Sequence, residues 1–165
     1  VSADQSTADP YEASDFLYAS ATGLTASSEA VAMQFRHIMS KISVNLIKGE
    51  DFEGELPSTA TVYIHNTVTT ATVDLSAGIA TKTPRGAGRS ITARQDGPAT
   101  YSAIVVPQRL ENRVPLIEVV MNGVSFLYES KFLFKPGIHH IVNLVVDKNP
   151  EQVKIEIGGE ITDCN

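Results

Sequence analysis

The sequence predicts an all-β fold, and three observations carry that prediction. Beyond Ala30 the apolar residues come in short segments of roughly four to eight, β-branched and alternating with polar residues. Gly, Pro, Asn and Asp break these segments at intervals of roughly ten residues, the spacing of a β-sandwich or barrel. No stretch shows a sustained amphipathic helical period. The 165 residues suffice for one well-packed domain, which at this size buries roughly 70% of its unfolded surface. The expected division is a polar arm, or the remnant of a preceding domain, over residues 1–29 and a β-sandwich over residues 30–165.

The arm is rich in Ser, Thr, Ala and Asp and is expected to dock through its one apolar cluster, Phe16, Leu17 and Tyr18. Ile42 to Leu46 and Tyr101 to Val106, the latter closed by Pro107, read as strands. Thr61 to His65 and Ala71 to Leu75 read as shorter, polar-flanked strands at the periphery. Pro115 to Ser130 reads as a hairpin, because Asn122-Gly123 supplies the two positive-φ positions of a type I′ turn. A two-residue loop sets Met121 opposite Val124, Val119 opposite Phe126 and Ile117 opposite Tyr128 on an apolar face. Val120/Ser125, Glu118/Leu127 and Leu116/Glu129 fall on the other. Ile138 to Val146 is apolar on both faces and reads as a central strand. After an Asn149-Pro150 turn, Val153, Ile155 and Ile157 alternate with Lys154 and Glu156, a strand with one wet face.

Charge and composition exclude several functions. Thirteen Lys and Arg against 19 Asp and Glu leave a net charge of -6, without the basic footprint that binding to nucleic acid requires. Apolar runs end well before the ~18 residues of a membrane span. Cys164 is the only cysteine, so neither an internal disulfide nor a cysteine zinc site can form. The chain starts at Val1 without a basic or apolar leader, so a signal or lipid anchor is expected to have been removed or to lie outside this chain.

Candidate chemistry is sparse. His139 and His140 are strand neighbours and point to opposite faces, so they do not share an ion. His37 follows Met33 and Phe35 at period two, which places it on the apolar side as a hydrogen-bonded core histidine. His65 sits at a strand end facing away from Val62 and Ile64. No metal site or cofactor is expected. The acidic run Glu50, Asp51, Glu53, Glu55 lacks the EF-hand spacing and reads as a solvated connection. Thr83 to Ser90 (TPRGAGRS) lacks phosphate-loop spacing and a following helix, and reads as a basic loop. No G-x-S-x-G elbow occurs, so no catalytic residue is assigned.

Three stretches together resemble a known family. Met33 to Leu46 (MQFRHIMSKISVNL) resembles the F-x-H-x-x-S-K segment of the fimbrillin-like proteins of Bacteroidetes, which are fimbrial subunits and related surface adhesins. Tyr101 to Gln108 (YSAIVVPQ) resembles that family's strand ending in V-P-Q. Gly137 to Val146 (GIHHIVNLVV) resembles the closing part of the same domain, with His140 where the family carries an aromatic and Cys164 where it carries Trp. The likeness corresponds to the C-terminal part of a typical member.

The resemblance implies a transthyretin-like, antiparallel Greek-key β-sandwich and a non-enzymatic protein exported to the outer-membrane surface as a lipoprotein. Its implied role is a pilus subunit, tip or anchor, or an adhesin, whose partners are other fimbrial subunits or host and bacterial surface ligands. Assembly in such systems is β-augmentation, in which backbone hydrogen bonds hold an added strand and alternate apolar side chains fill pockets. Val153, Ile155, Ile157 and Ile161 are the candidate residues of a strand that is exchanged or closes its own sandwich. The alternative function is a carbohydrate-binding β-sandwich of a surface lipoprotein. Trp is absent, so its platforms would be Tyr11, Tyr18 or Tyr63.

Overall fold

A computed structural model describes residues 1–27, 29–149 and 154–162. From the N-terminus run helix α1 (Ala8–Glu12) and strands β1 (Leu17–Tyr18), β2 (Arg36–His37), β3 (Ser40–Lys48), β4 (Thr61–Thr67), β5 (Ala71–Asp74) and β6 (Ile79–Lys82). Then follow β7 (Arg89–Thr92), β8 (Arg94–Gly97), β9 (Thr100–Val105), β10 (Gln108–Met121), β11 (Val124–Phe134), β12 (Ile138–Val146) and β13 (Lys154–Thr162). A four-stranded sheet in the order β11-β10-β4-β7 packs on a five-stranded sheet in the order β13-β12-β3-β9-β8. The pairs β1-β2 and β5-β6 form separate ribbons. The fold is the all-β sandwich that the alternation predicts.

Strand alternation builds the core. On β3, Ile42, Val44 and Leu46 point between the sheets, and Val62 and Ile64 of β4 join them in one buried cluster. From β12 the same cluster takes Val142, Leu144 and Val146. Fully burying one such side chain is worth about 1.5–3 kcal/mol, so these inward rows fix the register of their strands. The hairpin forms with the expected pairs, Met121 with Val124, Val119 with Phe126 and Ile117 with Tyr128. Asn122 (φ 50) and Gly123 (φ 76) occupy the turn.

Four features depart from expectation. A bulge between Pro115 and Ile117 pairs Glu129 with Pro115, not with Leu116. Leu116 therefore joins Ile117 in the core, and Pro115 sits at the irregularity, where its missing N–H is tolerated. β4 is an inner strand, hydrogen-bonded to both β10 and β7, not a peripheral one. β12 pairs with β3 in parallel, while the other strand pairs are antiparallel. Residues 1–18 dock chiefly by polar contacts: Phe16 and Leu17 are exposed, whereas Gln5 and Ser14 are buried.

Gln5 explains that docking. Its Oε1 accepts the Ile104 N–H at 2.8 Å and its Nε2 donates to the Ile104 carbonyl at 2.8 Å. The side-chain amide thus pairs with β9 as a neighbouring strand would. Gln108 repeats the device. Its Oε1 accepts from Val68 N–H at 2.9 Å, and its Nε2 donates to the carbonyls of Val68 and Val106 at 3.0 and 2.9 Å.

Candidate functional site

β13 is the outer strand of the five-stranded sheet and pairs along its length with β12. The register sets Ile155 opposite Leu144, Ile157 opposite Val142 and Ile161 opposite His139, while Val153 lies outside the described residues. Sheet edges differ in length. β7 and β8 are four residues each, whereas β11 has eleven and β13 nine. The two long edges lie on the same side of the sandwich, because Phe132 and Phe134 of β11 meet His140 of β12, with ring centroids 5.3 and 6.2 Å apart.

Two of the three stretches that carried the family resemblance converge on a cavity of about 230 Å³ between α1 and the starts of β3 and β12. His37, Ser40 and Lys41 of the F-x-H-x-x-S-K segment line it, as do Gly137, Ile138 and His139. Gly137 is needed where it stands. Its φ is +67, and a Cβ there would lie 2.9 Å from the His37 carbonyl oxygen. His37 is not the buried apolar-face histidine expected: Met33 and Phe35 are exposed, and His37 Nδ1 lies 2.6 Å from Asp15 Oδ2. The period-two pattern fails because β2 is only a two-residue strand in a separate ribbon, away from the core sheets. Period two also says nothing of Tyr11, Glu12 and Asp15, which reach the cavity from the arm.

His139 and His140 do face opposite ways. His139 Nε2 lies 2.7 Å from Ser43 Oγ on the outer face. Burial pushes its pKa below the usual imidazole value, helped by Lys41 and His140 and opposed by Asp96. The pair lacks a triad's orienting carboxylate, since Asp96 accepts from Ser102 Oγ and no bond joins it to His139. On the opposite sheet, Ser90, His65, Glu118 and Ser125 form a hydrogen-bonded chain across all four strands. Ser125 and then His65 hold the Glu118 carboxyl below the ordinary range, against a smaller effect of burial. Both ring nitrogens and both carboxylate oxygens are engaged, so this chain ties strands together. Among the described residues, no group of three or more His, Cys, Asp or Glu is placed to hold a metal ion.

Two packed sheets, long edges and a small cavity define a β-sandwich of the structural and binding kind. The chain belongs to the fimbrillin-like family, whose model matches residues 1–163. That is a family of fimbrial-type surface proteins, structural and not enzymatic. No curated protein matches the chain. Among solved structures it is similar to a candidate cell adhesion protein from Bacteroides ovatus, with a TM-score of 0.63 and 19% identity over 79% of this chain and 47% of that one. It is also similar to one from Bacteroides uniformis, with a TM-score of 0.63 and 23% identity over 80% of this chain and 53% of that one. These likenesses establish the shared fold, and the chain spans about half the length of either structure. None of its helices is long and apolar enough to cross a membrane, among the described residues.

Proposed function

We propose that this chain is the part of a fimbrial subunit through which subunits join by strand addition at the bacterial surface, after export as a lipoprotein. The supporting observation is the position of β13, a nine-residue edge strand paired only with β12 and beside the long edge of β11. Removing β13 would free the backbone groups of β12 over eight paired positions. It would also uncover the flank of a core built by Val142, Leu144 and Phe134. An incoming strand with apolar residues at alternate positions, as Val153, Ile155, Ile157 and Ile161 are spaced, restores both the ladder and the burial.

The test fastens β13 to its own sheet. Val145 and Lys154 are register partners, so Val145→Cys with Lys154→Cys, in a Cys164→Ser background, places a disulfide between the strands. The full-length precursor is treated with an Arg- or Lys-specific protease and run on denaturing gels without boiling. A ladder from the reduced protein, replaced by monomer in the oxidised protein, is expected. Monomer in both states, or an equal ladder in both, overturns the proposal.

A further inference from the structure

We infer that the cavity under α1 is a binding site for a single pyranose ring, such as the end residue of a surface glycan. The inference stands apart from strand addition, because the cavity opens on the outer face of the five-stranded sheet and involves no edge strand.

The cavity carries an unmet hydrogen-bonding demand. Ser40 lines it and is fully buried, yet its Oγ has no hydrogen-bond partner, the only such side-chain atom among the described residues. Leaving a buried hydroxyl unpaired costs about 1–3 kcal/mol, a cost that a bound hydroxyl would remove. Lys41 also lines the cavity and makes no salt bridge. Glu12 has one long contact, 3.9 Å to Arg94, and Asp15 is held by His37 through Oδ2, leaving Oδ1. Donors and carboxylate acceptors therefore border one space.

The rest of the lining selects the class of ligand. Tyr11, Met39, Ile104 and Ile138 supply apolar surface, suited to the C–H face of a sugar ring. An anion would meet Glu12 and Asp15, a cation would meet Lys41, and an apolar knob would leave Ser40 Oγ unpaired. A neutral polyol satisfies all of them, with its hydroxyls accepting from Lys41 and donating to the carboxylates. At about 230 Å³ the space falls below the ~300–1,000 Å³ usual for drug-sized ligands. One ring fits, and the remainder of a glycan would continue into solvent.

The probes are the methyl glycosides of glucose, galactose, mannose, fucose and N-acetylglucosamine, followed by ligand-observed NMR titration against the whole chain. Saturable binding of at least one glycoside is expected, weakened roughly tenfold or more by Ser40→Ala and by Lys41→Gln. Ser40→Ala should leave the melting temperature unchanged or raise it, since it deletes an unpaired buried hydroxyl. Absence of binding by all five glycosides overturns the inference. So does binding that survives both substitutions, or that is abolished by Tyr63→Ala and untouched by Ser40→Ala.

Discussion

Lys135 donates its backbone N–H to Nε2 of His140 across 3.1 Å. The bond makes Nε2 an acceptor, so the neutral ring carries its proton on Nδ1, which lies 3.6 Å from Glu160 Oε1. Burial pushes the His140 pKa down, Lys135 pushes the same way, and Glu160 opposes them. A proton on Nε2 would also break the bond to Lys135.

Stability should therefore fall on mild acidification. A histidine whose pKa is lower when folded binds fewer protons in the native state, so its contribution is complete above the unfolded value of about 6.5 and declines below it. His139 shifts in the same direction. The expected melting temperature is lower at pH 5.5 than at pH 7.5. The difference should shrink in His139→Asn/His140→Gln, and an equal difference in that variant would rule the two histidines out. A second decline, below about pH 4.5, should follow from Glu118, whose carboxyl is held low by Ser125 and His65.

Gln108→Ala should destabilise more than its size suggests. It strands both backbone groups of Val68, which is buried. About 2 kcal/mol or more is expected, at 1–3 kcal/mol for each buried group left unpaired. Urea unfolding checks the value, and a change below about 0.5 kcal/mol would mean that water replaces the amide.

The same substitution at Gln5 has a different expected reach. Gln5→Ala removes the amide from Ile104, so it should loosen the docking of residues 1–18 and leave the sheets intact. Amide hydrogen exchange should accelerate at Ile104 and hold steady at Val44 and Leu144. Uniform acceleration would instead mean that the arm is integral to the cooperative fold.

Two glycine sites should be intolerant for distinct reasons. Asn122→Ala/Gly123→Val forces a side chain into a conformation with φ 76, where the space around is open, at about 1–3 kcal/mol. Gly137→Ala adds a backbone clash with His37 to its positive φ, so its cost should be at least as large. Thermal melts of both variants decide this, and unchanged melting for the first would contradict the type I′ turn.

The parts of the fold legible in the sequence are those governed by local pattern. Asn122-Gly123 fixed its hairpin because few other dipeptides accept two positive φ values. The alternation of Val142, Leu144 and Val146 placed β12 inside a sheet because both its faces are apolar. What stayed hidden depends on distant partners. Nothing in the Tyr63 neighbourhood announces that β4 has a strand on each side, and no periodicity reveals a glutamine amide acting as a strand at Gln5. β6, β7 and β8 are four residues each and largely polar, too short for alternation to register. The cavity was equally hidden, since Tyr11, Ser40 and His139 are brought together only by the fold.

The parallel partnership of β3 and β12 has a temporal consequence. Asn45 and Asn143, bonded side chain to side chain across that pair, are 98 residues apart in the chain. The five-stranded sheet has no centre until β12 is present, so an emerging polypeptide that has already exposed β3, β4 and β9 still cannot close it. Late-arriving contacts of this kind slow folding. A chain that must be threaded across a membrane before it folds gains from that delay: it remains pliant for transport, and its final strands decide when it becomes rigid.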